Sequence, residues 1–226
     1  MNGSFYNSKA QSLKMYAAKT FGFMFLGLIC TFAVMIGTYK TGLVTMFLSI
    51  PAMAILAALE LITVFYLSAR IGKLSVSASK VLFFIYAILN GLTFATYFLY
   101  FEVSVLVLAF GVTALYFGVM AAVGYFTSVD LSRIQPILIS GLIFMIVCNF
   151  LGMFFGFGGM ERLFCFAGVA IFLGFTAYDT QKIKALYEAY SQDENMLKRA
   201  SIISALQLYL DFVNLFFYIL RLFSRD

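Results

Sequence analysis

Histidine is absent from the 226 residues, and this absence narrows the chemistry open to the chain. Without imidazole, the usual general base of an enzyme and the usual titrating group near neutral pH are both missing, so a response to pH would have to come from carboxylates. The three cysteines, Cys30, Cys148 and Cys165, each fall inside a different apolar run. With no histidine to complete a ligand set, they are predicted to be packing residues rather than a metal site.

Charged residues are scarce as well. They make up 11% of the chain, whereas hydrophobic residues make up 63%. Runs of about 20 apolar residues match a hydrocarbon core about 30 Å thick, so we predict an all-α integral membrane protein. The net charge of +5 does not indicate nucleic acid, because the basic residues lie between the apolar runs. No nucleotide loop, catalytic triad or metal-ligand cluster is present, so we expect neither an enzyme nor a bound cofactor.

The uncharged runs predict one integral membrane domain over residues 1–226. It has a polar N-terminal tail at residues 1–20, without an evident removable signal peptide, and seven spans within residues 21–223. The second span is interrupted by Glu60, and the sixth extends through Asp179. The predicted spans are 21–39, 43–69, 81–101, 103–127, 136–157, 163–179 and 200–220.

Lysine and arginine are distributed unequally between the two ends of these spans. One side holds 11 of them and the other side 4. Cytoplasmic connections of membrane proteins carry the excess of basic residues, so we predict a cytoplasmic N-terminus and an external C-terminus. Lys9 is one of the 11 basic residues on the cytoplasmic side, and Arg225 is one of the 4 on the other side.

The last apolar run carries a single formal charge, Asp211, near its middle. A mid-helix aspartate costs about 2.5–3.5 kcal/mol on membrane insertion scales, so it should face the interior of a bundle or a water-filled cavity. Steps of three and four residues from Asp211 follow one side of a helix whose other faces are apolar. This polar side comprises Ser204, Gln207, Asp211, Asn214, Tyr218 and Arg221.

The remaining charges within spans suggest two layers at matching depths. Glu60 precedes Arg70 by ten residues on the second span, so it lies about 15 Å farther out. Arg221 lies about 15 Å outside Asp211 on the seventh span. We therefore predict an inner layer of Arg70 and Asp211, to which Asp179 also belongs by its depth. We predict an outer layer in which Glu60 faces Arg221.

Two carboxylates brought together in a partly dehydrated place cannot both ionise cheaply, so Asp179 and Asp211 would share a proton. Alternatively, Asp179 is an interfacial residue beside Lys182, and Asp211 pairs structurally with an arginine. The third span carries a second polar stripe, which either faces Asp211 or supplies hydrogen bonds between helices. It consists of Tyr86, Asn90, Thr93, Tyr97 and Tyr100.

Two segments carry a resemblance to a known family. GFTAYDTQKIKALYE around Asp179 and ALQLYLDFVNLFFYILRLF around Asp211 resemble the signature segments of the Bax inhibitor-1 family, also called transmembrane Bax inhibitor motif proteins. The similarity is densest over residues 168–223, and the short N-terminal tail resembles the bacterial members. One departure is a sixth-to-seventh connection longer than in the shortest members. The resemblance implies a bundle in which six helices surround the seventh.

The resemblance also implies a function and its residues. Bacterial members of the family are described as pH-sensitive calcium leak channels governed by an aspartate pair, here Asp179 and Asp211. Arg70 would be the arginine that contacts the pair, and Glu60 with Arg221 would form a second ionic contact. Ca²⁺ would be the transported ion and the bacterial inner membrane the location.

The ion path would be lined by oxygen-bearing side chains, and the two aspartates would be its metal-contacting groups. The candidate lining residues are Gln207, Asn214 and Asn90. The alternative function is that of an interaction protein, because members of the family are also described as modulators of a membrane-bound protease and of stress or cell-death pathways. A deep carboxylate layer distinguishes the two, since a docking subunit would not need it.

Overall fold

The computed structural model describes residues 12–70, 72–155 and 159–224, which form helices joined by short connections. Within these ranges there is no β-strand, and seven helices are long and apolar enough to cross a membrane. The class predicted from the sequence, an all-α protein with seven membrane-spanning helices, is therefore confirmed. Residues 1–11 of the predicted tail and Arg225 of the charge count lie outside the described residues.

The seven helices have the following bounds. They are α1 (Leu13–Lys40), α2 (Ile50–Arg70), α3 (Val76–Ala95), α4 (Val103–Phe126), α5 (Gln135–Phe155), α6 (Glu161–Tyr190) and α7 (Glu194–Phe223). Short 3₁₀ turns follow α1 (Leu43–Phe47) and α3 (Thr96–Leu99), and a third precedes α5 (Leu131–Ile134).

Several helices extend beyond the apolar runs because polar residues cap them. Ser12 accepts from the Met15 amide and starts α1 eight residues before the predicted span. Ser75 begins α3 in the same way, and the Asp193 carboxylate accepts from two amides at the start of α7. The predicted long connection between the sixth and seventh spans is mostly helical, since only residues 191–193 separate α6 from α7.

The seventh helix has the largest buried share of the membrane-spanning helices, 67% of its most apolar stretch. It packs against α6, α1, α4 and α3. By contrast, α2 packs mainly against α3, and α5 mainly against α6. Large apolar side chains such as Ile50, Phe65 and Phe144 are exposed on these two outer helices, as expected where a surface meets lipid.

Three buried side chains connect α7 to the helices beside it. The Tyr209 hydroxyl lies 2.6 Å from the Thr31 hydroxyl of α1, which in turn donates to the Ala87 carbonyl oxygen of α3. The Tyr86 ring of α3 meets the Tyr209 ring edge to face at 5.8 Å. Part of the polar stripe predicted on the third span therefore faces α7, and part of it makes hydrogen bonds to another helix, as described below.

Candidate functional site

The polar side of α7 lies along α6, and contacts at three levels show that the two helices run antiparallel. Near the end of α7, Arg221 Nη2 is 3.7 Å from a Glu161 carboxylate oxygen at the start of α6. One turn earlier in α7, the Tyr218 ring stacks on Phe172 with centroids 5.9 Å apart. Toward the other end, Lys182 Nζ lies 3.5 Å from Gln207 Oε1.

Asp179 and Asp211 lie between the second and third of these levels, on facing sides of the two helices. Asp179 is 6% exposed and Asp211 is 4% exposed. Each is close enough to Lys182 for electrostatic interaction, and the Asp179 carboxylate acts electrostatically on Asp211. The structure therefore brings together the two aspartates singled out from the sequence.

Close packing against α4 holds Asp179 in its buried position. Gly124 of α4 approaches the backbone of Ala177 so closely that a Cβ atom there would lie 2.8 Å from the Ala177 Cα. Asp179 shares the buried face of α6 with Thr176 and Ile183, three and four residues away. Backbone contact at Gly124 thus sets the distance between α4 and α6 beside the aspartate.

Polar atoms near the pair are buried without satisfying their hydrogen-bonding capacity. Asp211 Oδ2 has no hydrogen-bond partner among the described residues, and neither has Thr180 Oγ1 beside Asp179. Farther from the pair, the Tyr16 hydroxyl of α1 and the Ser204 hydroxyl of α7 are both buried and interact with one another. Buried polar atoms are usually partnered, and leaving one unpartnered costs about 1–3 kcal/mol, so this region is destabilised relative to an ordinary core.

The connection between α4 and α5 is fixed to α6 two residues after Asp179. Gln181 Oε1 accepts from the Leu131 amide at 2.8 Å, and Gln181 Nε2 donates to the Val129 carbonyl oxygen at 2.7 Å. Between them, Asp130 is exposed, and hydrogen bonds from the Ser132 hydroxyl and amide hold the pKa of its carboxyl below the usual value. This connection therefore carries a charged carboxylate beside the middle part of α6, at the level of Gln181, but outside the membrane spans.

Arg70 does not make the predicted contact with the pair. Its side chain is exposed at the end of α2, a helix that packs mainly on α3 rather than on α6 or α7. The cation that acts on both aspartates is Lys182, one turn after Asp179 on α6. Depth in the membrane, on which that prediction rested, does not determine which helices are neighbours.

The predicted outer contact between Glu60 and Arg221 is also wrong for this structure. Glu60 Oε1 accepts from the Thr93 hydroxyl of α3 at 2.6 Å, while Arg221 pairs with Glu161. The physical reason is again the packing order, because α2 meets α3 and α7 meets α6. The Thr93 bond does show that the third-span stripe supplies a hydrogen bond between helices.

The candidate path-lining amides make local contacts. Asn214 Nδ2 donates to the Leu210 carbonyl oxygen, and Asn90 Nδ2 donates to the Tyr86 carbonyl oxygen, each within its own helix. Gln207 alone faces a charged group of another helix, Lys182. Over the described ranges, no group of three or more histidine, cysteine, aspartate or glutamate side chains comes together, so the pair offers two carboxylates rather than a closed metal site.

Lys182 is the site residue that sequence reasoning did not select. A signal for it existed, because Lys182 follows Asp179 by three residues and therefore lies on the same side of α6. In the sequence it enters only the alternative in which Asp179 is an interfacial residue beside it. In the structure its ammonium group lies 5.8 Å from the centre of the Tyr178 ring and reaches the α7 stripe at Gln207.

Seven membrane-spanning helices with two buried carboxylates facing one another define the class: an integral multi-pass membrane protein with an ionisable site inside its helix bundle. Comparison with known proteins then gives the family. The family model described as "Inhibitor of apoptosis-promoting Bax1" matches residues 13–226. The chain belongs to the Bax inhibitor-1 family, as the two signature segments had indicated.

Curated relatives are similar over almost their whole length. The inner membrane protein YbhL of Escherichia coli (strain K12) is 35% identical over 216 residues, which cover 94% of this chain and 92% of YbhL. A protein of Borreliella burgdorferi is 32% identical over 212 residues, covering 93% of this chain and 91% of that protein. A membrane protein of Streptococcus pyogenes serotype M3 is 30% identical over 225 residues, covering 98% and 97%.

Proposed function

We propose that the protein is a passive Ca²⁺ leak channel whose conductance responds to pH through Asp179 and Asp211. The observation that carries this proposal is the pair itself: two nearly buried carboxylates on facing helices, one of which has an oxygen without a hydrogen-bond partner among the described residues. A carboxylate held inside a membrane bundle is costly, and such groups typically belong to ion or proton pathways.

A shared proton supplies the link between this pair and pH. Two carboxylates that interact strongly lose their protons in two steps, and the half-protonated pair places a proton between the two groups. That proton would provide the hydrogen bond that Asp211 Oδ2 lacks. Loss of the proton leaves two negative charges facing one another, with Lys182 as the nearest cation, and favours separation of α6 from α7.

Oxygen ligands and negative charge are what Ca²⁺ requires, so the same pair that repels itself when deprotonated would attract the ion. We propose no chemical catalysis and no resident cofactor for the chain. By analogy with the name of its relative YbhL, we place it in a bacterial inner membrane, and from the excess of basic residues we place its N-terminus in the cytoplasm. The alternative, an interaction protein that modulates a membrane-bound protease, requires no such pair.

The purified full chain in liposomes tests the proposal. Ca²⁺ entry, followed with a dye trapped inside, should depend on the protein and change with pH near neutrality. Asp211→Asn and Asp179→Asn should each flatten the pH response, since the amide keeps the shape of the side chain but does not titrate. Asp130→Asn is the matched control, because Asp130 is an exposed carboxylate in the α4–α5 connection that contacts α6 at Gln181, and it should leave the response unchanged.

Two results would contradict the proposal in different ways. Liposomes without protein-dependent Ca²⁺ entry would favour the interaction protein. Entry with a full pH response in the Asp211→Asn variant would retain the channel but exclude the pair as its sensor.

A further inference from the structure

A cavity of about 260 Å³ lies where α1, α3 and α7 begin, well apart from the aspartate pair. Three lysines line it: Lys19, Lys80 and Lys198. Each stands within the first two turns of its helix, so the three ammonium groups come from three separate elements. No aspartate or glutamate is among the residues that line this cavity.

One carboxylate, Glu194, acts electrostatically on both Lys19 and Lys198. Lys198 pairs with Glu194 at 2.7 Å, but both side chains are well exposed, and such pairs contribute little. Lys80 Nζ lies 5.2 Å from the centre of the Phe23 ring, a contact that attracts the ammonium group without neutralising its charge. The N-termini of three helices add their positive dipole ends on the same side.

The walls of the cavity are largely apolar. Phe23, Val76 and Leu197 line it together with Tyr16, whose buried hydroxyl interacts with the Ser204 hydroxyl of α7. Ser201, by contrast, already shares a hydrogen bond with Thr20 at 2.9 Å. The cavity therefore combines exposed ammonium groups with an apolar interior, at the ends of helices that cross the membrane.

We propose that this cavity binds the phosphate headgroup of an acidic phospholipid. The ammonium groups of Lys19, Lys80 and Lys198 would contact the phosphate, and the apolar wall at Phe23 and Leu197 would contact the upper part of the lipid chains. Basic pockets between membrane helices are suited to anionic headgroups, which are held at this depth by the bilayer itself. A free phosphate would use the lysines but gain nothing from the apolar wall.

The site also has a structural consequence. The three helices around it pack on one another, and α7 carries Asp211. A headgroup held by lysines from all three would oppose separation of their ends, and it would therefore stabilise the bundle by mass action. Lipid binding at this cavity does not require ion conduction, so its test is independent of the test of the leak channel.

Thermal unfolding of the purified full chain in a neutral detergent tests this inference. Short-chain phosphatidylglycerol should raise the midpoint of unfolding in a saturable way, while phosphatidylcholine with the same chains and inorganic phosphate should have little effect. Lys80→Gln and Lys19→Gln should each weaken the apparent affinity for phosphatidylglycerol about fivefold, which corresponds to about 1 kcal/mol per lysine near an anionic lipid surface.

Two further variants sharpen the test. Lys73→Gln is the matched control, because Lys73 is exposed in the connection before α3 and does not line the cavity, so its affinity should equal that of the unaltered protein. Glu194→Gln should tighten binding, since the carboxylate no longer competes for Lys198. Both changes lie at exposed positions and leave the apolar core untouched.

Equal stabilisation by phosphatidylglycerol and phosphatidylcholine would overturn the proposal, because the charge of the headgroup would then be irrelevant. Equal stabilisation by inorganic phosphate would identify a free-anion site instead and overturn the lipid assignment. A weakening by Lys73→Gln as large as that by Lys80→Gln would show a diffuse surface charge effect rather than a site, and this too would overturn it.

Discussion

Gly124 offers the most direct test of how the aspartate site is positioned. Replacing it with alanine adds one methyl group, which would lie 2.8 Å from the Ala177 Cα and closer still to the Ala177 carbonyl oxygen. Cβ atoms are not found this near to backbone, so α4 and α6 must move apart at a level two residues from Asp179. Overpacking of this kind typically costs about 1–3 kcal/mol.

The matched control is Gly118→Ala, six residues earlier in the same helix, where an added Cβ would meet nothing within 4 Å. Both changes replace glycine by alanine inside α4, and both therefore gain the same preference of alanine for helix, about 1 kcal/mol. This gain cancels in the comparison between the two variants. The difference in their free energies of unfolding isolates the clash with α6.

A difference of about 1–3 kcal/mol should appear as a Tm about 2–12 °C lower for Gly124→Ala than for Gly118→Ala, since 1 kcal/mol shifts Tm by about 2–4 °C in chains of this size. The measurement is thermal unfolding of both purified variants in one detergent at equal protein concentration. Equal midpoints would refute the reasoning, because the α4–α6 contact would then be loose enough to admit a methyl group.

Three further outcomes are expected. Glu161→Gln and Arg221→Gln should each lower the free energy of unfolding by at most about 1 kcal/mol, because the pair is partly exposed. A double-mutant cycle should give a coupling energy of the same small size, and a coupling energy above about 3 kcal/mol would mean that the pair is buried. Thr93→Val should lower the free energy of unfolding by about 1.5–3 kcal/mol, since the Thr93 hydroxyl donates to the half-buried Glu60 carboxylate. Thr63→Val is the control and should cost less, because the Thr63 hydroxyl donates to a carbonyl oxygen of its own helix. In a chain without its native cysteines, Lys40→Cys should react with an impermeant thiol reagent on intact cells and Lys14→Cys should not; labelling at position 14 would reverse the predicted orientation.

The helices themselves were predictable because hydrophobic run length is a strong signal in a membrane. The fourth span, predicted over residues 103–127, forms a helix over Val103–Phe126, and the fifth, predicted over 136–157, forms one over Gln135–Phe155. The largest errors lie at the end of α6, which continues to Tyr190 where the predicted span ends at 179, and at the start of α1, which begins at Leu13 where the predicted span begins at 21. There the chain stays helical beyond the apolar run, and hydrophobicity cannot detect a helix that continues into water.

Contacts between helices distant in sequence were not predictable from depth. Arg70 and Glu60 were assigned partners on α7 because they lie at matching levels, yet α3 is the helix against which α2 packs. A depth argument gives one coordinate of a side chain and says nothing of its direction around the bundle. The hydrogen bond between Glu60 and Thr93, which are 33 residues apart in sequence, could have been predicted only by treating α2 and α3 as antiparallel neighbours. The polar stripe on the third span would then have supplied Thr93 as the partner.

Contacts between consecutive helices follow from a different and stronger constraint, and this constraint accounts for the juxtaposition of the two aspartates, which depth and the family resemblance had indicated. Residues 191–193 are all that separate α6 from α7, so the two helices must pack as an antiparallel hairpin. In a hairpin, each step back along α6 is met by an equal step forward along α7, which places Lys182 beside Gln207 and Phe172 beside Tyr218. Asp179 lies between Phe172 and Lys182 on α6, and its counterpart on α7 is Asp211. The same register assigns Lys182 to the α7 stripe, so the cation of the site follows from the hairpin and not from the charge layers.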